Sequence, residues 1–459
     1  MHNMEKLSNV HFKLPKHLHM RKDVELFLSE KLLSMLEQDA VRQLINVASM
    51  PGIEAVFAMP DIHTGYGFPI GTVAGADIES GGVISPSGVG FDINCGMRLF
   101  VSQVNSKSSQ RYIREFINKL FSMVPAGVGC TGDLKLNDRE LDVVLEKGAR
   151  WAVERGYGEL EELDKTEDLG CMRQASAIAV SKQAKKRGAR QLGTLGSGNH
   201  FLEVQYVLDV YDKDIASKLN IKKGDLCIMF HCGSRGLGHQ VCKEYSGYVL
   251  QDMKKRGEYI ADKELGFVKF KSKLGQDYFA AMGAAANFAW ANRQVIGAIV
   301  KDVFKQVFDG ETIRMVCDIA HNIAKIEKHK INGKTKRLCV HRKGATRAFP
   351  GQLVIVPGDM GSKSYLLIGT ETSLQVSLAS CCHGAGRALS RSRAKKEIAY
   401  NQVDSFLREK NILAYSHSKS ALIEESPFSY KDVEEVIDVV CSAGIVRKVV
   451  SLCPLAVLK

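Results

Sequence analysis

The sequence predicts an α+β fold: a single large mixed domain over residues 1–459, with central β-sheets flanked by helices. Three observations carry this expectation. Short apolar runs of strand length mix irregularly with stretches of helical periodicity, without the strand–helix–strand rhythm of a parallel sheet. No Pro/Ser-rich linker divides the chain, its 10 Pro are scattered, and no repeat recurs at a fixed period. The composition, 45% hydrophobic and 25% charged, is that of a globular protein and excludes a disordered chain, a collagen-like repeat and a small disulfide scaffold.

The elements follow in order. The start reads helical, with Val41, Leu44, Ile45 and Ala48 at helix spacing and Pro51-Gly52 ending the run. A strand is expected over 53–58, then a Gly-dense stretch over 65–96. The spacing predicts a helix over 174–190, with Lys and Arg crowded at its C-terminal end, where the helix dipole favours cations. Residues 226–230, 313–319, 353–356 and 365–368 read as short buried strands, and Val433, Val436, Ile437 and Val440 mark an amphipathic helix. The longest apolar stretch, 280–291, is interrupted by Asn287 and followed by Asn292 and Arg293. It falls short of the roughly 20 apolar residues of a membrane span. The basic N-terminal segment lacks the apolar core of a secretory signal. None of the 12 Cys forms a Cys-x-x-Cys pair, so reduced thiols in the cytosol, or also the nucleus of a eukaryote, are expected.

The charge balance is 63 Lys+Arg against 51 Asp+Glu, a net +12. By itself it fits solubility charge and a polyanionic partner equally. The distribution of glycine says more. Four Gly-rich loops each flank a histidine or cysteine: around Asp92 and Cys95, before His200, after His231, and after His383. Glycine permits positive φ and close approach of a ligand to the main chain, and such loops aim N–H groups at anions. His231 and His321 each follow an apparent strand, which would hold a ligand still. Asp92, Cys95, His200, His231 and His321 together would make a mixed N/O/S site for Mn or Zn, with the thiolate able to bridge two cations. Each histidine alone is more often structural; the shared loop context favours a site. Asp61 and His63 stand between two readings, a turn-forming Asp with a surface His, or a carboxylate and imidazole supporting the site.

These blocks resemble the RtcB family of RNA ligases. The stretches that carry the resemblance are MPDIHTGYGFPIG (59–71), GVGFDINCGMR (88–98), GTLGSGNHFLEV (193–204), FHCGSRGLGHQV (230–241), AWANRQ (289–294), AHN (320–322), HRKGATRA (341–348), PGDMGSKSY (357–365), CHGAGRALSRSRA (382–394) and the closing PLAVLK. The resemblance implies joining of RNA 3′-phosphate or 2′,3′-cyclic phosphate ends to 5′-hydroxyl ends, with GTP consumed. It implies that Asp92, Cys95, His200, His231 and His321 hold two Mn²⁺ ions, Cys95 being shared, and that His383 is the nucleophile that takes GMP. Asn199, Phe201, Glu203, Asp359, Ser364, Tyr430 and Lys459 would contact the nucleotide, and the loop Gly384, Ala385, Gly386, Arg387 would cradle its anion. Arg235 and Arg387 would meet RNA phosphates. The partner implied is RNA, as tRNA halves or broken RNA, and an activator of the archease type is left open. Two departures stand out: Asp359 occupies a position where the family often has Ser, and relatives often carry one more Gly after Lys459.

Two other readings compete. A metal-dependent phosphodiesterase acting on RNA ends could use the same ligands, but it gives the His383 loop and Lys459 no role. An RNA-binding protein with a structural metal would present closely spaced Cys/His pairs, which this chain lacks. Of the basic runs at 182–187, 254–256 and 387–396, the last is expected to touch RNA because it adjoins His383.

Overall fold

The computed structural model describes residues 4–258 and 262–459. The chain forms two large sheets, each with helices packed on it, as the α+β expectation requires. The first has seven strands in the order Glu5–Lys6, His11–Leu14, Val24–Phe27, Ile53–His63, Ile70–Asp77, Lys334–Lys343, Asn322–Ile331. Helices Gln38–Ala48 and Val433–Ser442 cover the strand Ile53–His63. They bury the residues whose period announced them: Val41, Leu44, Ile45 and Ala48 on one, Val433, Val436, Ile437 and Val440 on the other.

The second sheet runs Ile313–Ala320, Gly96–Asn105, Asp225–Cys232, Phe201–Val210, Val446–Leu458, Ser364–Gly369, Leu353–Val356, every neighbour antiparallel. Leu413–Tyr415 adds an eighth strand, parallel to Val446–Leu458. All eight residues of Asp225–Cys232 are buried, which is why that strand reads as a continuous apolar run instead of an alternating one. The helix Lys273–Val307 supplies Ile296, Val300, Val303 and Phe304 to the core against this sheet. The apolar stretch 280–291 lies inside it, and Asn287, its interruption, is a buried rivet. Asn287 donates to Leu145 O at 2.9 Å and accepts from Met172 N–H at 2.7 Å. No described helix is long and apolar enough to cross a membrane.

Three expectations need correction. The start is not simply helical, because three strands precede the helix Gln38–Ala48. The strand expected over 53–58 continues to His63, so Asp61 sits in a strand and not a turn. The helix expected over 174–190 is only Lys182–Gly188, preceded by a 3-10 turn at Ala177–Ala179. The physical reason is Ser181: its backbone is extended and its side chain accepts from Ala184 N–H, which starts the helix there. The basic C-terminal end is present, in Lys185, Lys186 and Arg187.

Candidate active site and metal centre

Four neighbouring strands of the second sheet deliver four candidate ligands to one end. His321 directly follows Ile313–Ala320, Cys95 directly precedes Gly96–Asn105, His231 is the penultimate residue of Asp225–Cys232, and His200 directly precedes Phe201–Val210. Antiparallel register brings these ends together: Ala320 faces Gly96, Gly96 faces Cys232, and Phe201 faces His231. Asp92 comes from the loop ahead of Cys95. Its Oδ1 accepts from Ser234 N–H at 2.9 Å, and a Cβ on Gly233 would lie 2.3 Å from that carboxylate, so a side chain there would displace it.

The ligating atoms form two groups that share one sulfur. Cys95, His231 and His321 make one; Asp92, Cys95 and His200 make the other; within each, the atoms lie inside 4.8 Å of one another. Cys95 Sγ is 3.0 Å from His231 Nε2 and 3.3 Å from His200 Nε2. His200 Nε2 is 2.7 Å from Asp92 Oδ2, and His231 Nε2 is 2.9 Å from His321 Nε2. His231 Nδ1 donates to Asn199 O at 2.9 Å, so its Nε2 lone pair faces the cluster.

Electrostatics favours a cation here. Burial, with His200 beside His231 and His231 beside His321, holds both imidazoles well below their ordinary range and therefore neutral. Burial, reinforced by the Asp92 carboxylate, pushes the Cys95 thiol far up. Burial would also raise Asp92, but His200, Cys95 and Arg235 together outweigh it and keep the carboxyl ionised. Neutral imidazoles, a carboxylate and a buried sulfur fit divalent cations, and the shared sulfur fits a bridged pair.

The ligand segments are braced from below by the helix Lys273–Val307. Arg293 pairs with the buried Asp318 and donates through Nη1 to Asn94 O at 2.7 Å and Cys232 O at 2.9 Å. These carbonyls belong to the neighbours of Cys95 and His231. Asn292 accepts from Gly193 N–H at 2.7 Å and donates to Gly233 O at 3.3 Å.

His383 reaches the same place from a two-stranded ribbon, Ala345–Arg347 with Ser380–Cys382. Its ring centroid is 4.9 Å from that of His321. Asp61, fully buried, accepts from His383 Nδ1 at 2.5 Å and from its backbone N–H at 3.1 Å. With Nδ1 donating to a carboxylate, Nε2 keeps its lone pair. Gly386, at φ 74°, packs where a Cβ would lie 2.4 Å from the backbone O of Asp61, so the loop lies tight against that strand. His63 donates from Nδ1 to Asp61 O and lines the adjoining cavity, and burial pulls it down to about 4.

That cavity, of 150 Å³, is lined by Asn199, Phe201, Glu203, Asp359, His383, Gly384, Ala385, Gly386, Arg387, Tyr430 and Lys459. Of the residues expected around a nucleotide, Ser364 alone stands off the wall. It is buried behind it, with its hydroxyl engaged by Gln205 Nε2 and Gly358 N–H. Lys459 lies with Nζ 5.2 Å from the Phe201 ring centroid. Burial pushes Glu203 up to about 8 against the pull of Lys459. A second, larger cleft of 890 Å³ opens beside it, lined by Asp92, His200, Arg187, Arg235, Arg391 and Lys459 among others.

A family model described as tRNA-splicing ligase RtcB matches residues 43–459. The chain belongs to the RtcB family. A tRNA-splicing ligase RtcB of Archaeoglobus fulgidus is 47% identical, over 99% of this chain and 98% of the relative. Those of Methanococcus maripaludis and Thermococcus kodakarensis are each 44% identical, over 96% and 99% of this chain and 95% and 98% of the relatives.

Within this RtcB chain, sequence reasoning missed the hub of the small cavity. Glu425 accepts from Arg387 at 3.2 Å and Arg391 at 2.9 Å, and Tyr430 O–H donates to it. Burial would raise Glu425, but Lys459, Arg391 and Arg387 hold it down at about 2. Arg387 is also spent on Glu424 O and Leu389 O, so its guanidinium is tied to protein partners. No local signal marks Glu425; only the fold shows its neighbours. Arg293 and Asn292 lay in a recognised block, and their role becomes visible only from what they touch.

Proposed function

We propose that this protein is an RNA ligase acting in tRNA splicing or RNA repair. It joins 2′,3′-cyclic phosphate or 3′-phosphate ends to 5′-hydroxyl ends at the expense of GTP. One observation carries the reading: in a member of the RtcB family, His383, tautomer set by Asp61, sits ring to ring with His321, which belongs to one of two groups of side chains that share Cys95 and could hold cations.

His383 Nε2 attacks the α-phosphorus of GTP; a P–N bond forms and the P–O bond to pyrophosphate breaks. Asp61 holds the Nδ1 proton as positive charge develops on the ring. A 3′-phosphate end, reached from a cyclic phosphate by addition of water, then attacks the histidine-linked phosphorus and takes GMP. The 5′-hydroxyl of the second RNA attacks the 3′-phosphorus, and GMP leaves. Mn²⁺ held by Asp92, Cys95, His200, His231 and His321 would supply charge neutralisation and Lewis acidity against the phosphates. The small cavity supports the guanine end of the nucleotide, with Glu203, Tyr430 and Lys459 on its wall.

Incubation with α-labelled GTP and Mn²⁺, followed by a denaturing gel, tests the nucleophile. Wild type retains label and His383→Ala does not; label persisting on the variant would refute the assignment. A ligation assay with defined RNA ends tests the reaction. Joining requires GTP, whereas GTP-independent cleavage of the ends turns the reading to a metal-dependent phosphodiesterase.

A further inference from the structure

The basic runs at 182–187 and 387–396 differ in how much of their charge is left free. In the second, most charges are spent on acids. Arg387 and Arg391 meet Glu425, Lys395 meets Glu424 at 2.7 Å, and Arg393 meets Glu397 at 2.9 Å. Around the helix Lys182–Gly188 the balance is opposite. Lys135, Lys182, Lys186 and Arg190 are exposed and make no ion pair among the described residues. Lys185 alone is neutralised, by Asp142 at 2.7 Å.

Helical spacing explains the placement. Lys182, Lys186 and Ala189 recur at three- and four-residue intervals, so they share one side of the helix and its C-terminal turn. Lys135 comes from the loop alongside, and Arg190 from the residue after Ala189. Together with Asp138 and the Lys185–Asp142 pair they line a groove of 730 Å³, in which, among the described residues, these four cations outnumber the one unpaired acid, Asp138.

The groove shares a wall with the large cleft. The loop over 127–136 runs beside the helix end, with Gly132 N–H donating to Arg190 O at 2.8 Å. One end of this loop presents Lys135 to the groove; the other presents Gly127 and Val128 to the cleft that holds Asp92, His200 and Arg235. Arg187 and Gln191, from the same helix end, also line the cleft. A polyanionic strand leaving the cleft past Arg235 therefore meets an excess of positive charge along this wall.

We propose that this groove holds the phosphodiester backbone of an RNA strand at nucleotides away from the end being joined. The proposal rests on the RNA-joining reading of the site. It assigns the groove to affinity and not to chemistry, since phosphate contacts position a strand without reading its sequence.

The test uses the full chain and the variant K135Q/K182Q/K186Q/R190Q. RNA binding is measured by fluorescence anisotropy across a KCl series, with single strands of about 4 and about 20 nucleotides, and GTP labelling is measured in parallel. Each lost phosphate contact on a single strand lowers the salt slope by about 0.7, so the slope for the long RNA falls by about 2–3. Its affinity at low salt drops at least tenfold, while the short RNA binds as to wild type and GTP labelling is unchanged. A charge-keeping variant, K135R/K182R/K186R with R190K, restores slope and affinity. Equal slope and affinity of the glutamine variant and wild type for long RNA overturn the proposal. So does loss of GTP labelling or of thermal stability in both variants, because the residues are then structural. If wild type itself neither takes label nor joins ends, the reading of the site fails, and the salt slope still reports on the groove.

Discussion

Asp61 touches His383 twice, at the backbone and at Nδ1, and this decides which ring nitrogen faces the reaction. Asp61→Asn keeps the shape and can still offer an oxygen to both N–H groups, but it removes the negative charge that steadies the imidazolium as it forms. The rate of GTP labelling is expected to fall by about 10³- to 10⁴-fold, as when a carboxylate orienting a reactive histidine is made an amide. Circular dichroism and the thermal midpoint should stay near wild type; a labelling rate within tenfold of wild type removes Asp61 from this role. Glu203 makes a second prediction. Burial lifts its carboxyl to about 8, so near neutrality the free protein holds it protonated. Guanine offers N–H donors that a carboxylate accepts, so binding at pH 7 releases this proton. GTP affinity therefore rises with pH toward 8, and the calorimetric binding enthalpy depends on the buffer. Glu203→Gln should bind more weakly and show neither effect; the same buffer dependence in the variant would place the proton elsewhere. At this scale the sequence was legible where chemistry clusters with glycine, as at Cys95 and His383. It was silent at Glu425, whose basic partners Arg391 and Arg387 lie 34 and 38 positions away.

The helix Lys273–Val307 shows how an element positions a site it does not enter. Arg293 bonds the carbonyls beside Cys95 and His231 while paired to Asp318, which also accepts from Arg98 at 2.8 Å. A lysine keeps the charge but cannot fork to three partners. Arg293→Lys should weaken Co²⁺ binding by about 10- to 100-fold, in the range seen for groups that orient ligands. It should also shift the visible absorption bands of the bound ion. Unchanged affinity and spectrum would make Arg293 a core residue only. Arg293→Met, which breaks a buried ion pair, should lower stability by about 3–5 kcal/mol in chemical denaturation. Element boundaries were readable where burial and period agree. The strand at Leu353–Val356 and the helix beginning at Val433 fall where the pattern put them. The pattern failed at 174–190, where a capping serine outranks a run of helix formers, and at the N-terminal strands, two to four residues each, too short for a period to show.

On the scale of the molecule, the two sheets are stitched at His321, the single residue between Ile313–Ala320 of one and Asn322–Ile331 of the other. A cation held by His321 and Cys95 therefore ties folding to binding. Mn²⁺ at 100 times its dissociation constant should stabilise the wild type by about 2.7 kcal/mol, seen as a raised thermal midpoint that EDTA reverses. Cys95→Ser, which replaces a thiolate by a poorly ligating hydroxyl, should lose most of that shift. A full Mn²⁺ response in Cys95→Ser would show that the sulfur is dispensable. The net +12 gains a location as well: the unpaired charge of the groove lies on a wall of the cleft, a placement no composition reveals.

The spread of the ligands along the chain has a further consequence, for synthesis. Asp92, Cys95 and His200 lie just ahead of the strands Gly96–Asn105 and Phe201–Val210, which both find a partner in Asp225–Cys232 once residue 232 has been made, while their outer partners Ile313–Ala320 and Val446–Leu458 come later. The Cys95–His231–His321 group waits for residue 321, and His383 for another stretch beyond it. At about 5–20 residues per second, roughly 8 to 30 s separate residue 232 from His383, the candidate nucleophile. On the proposed reading, a ribosome-bound chain thus carries the first candidate cation ligands before the histidine proposed to receive GMP has been made.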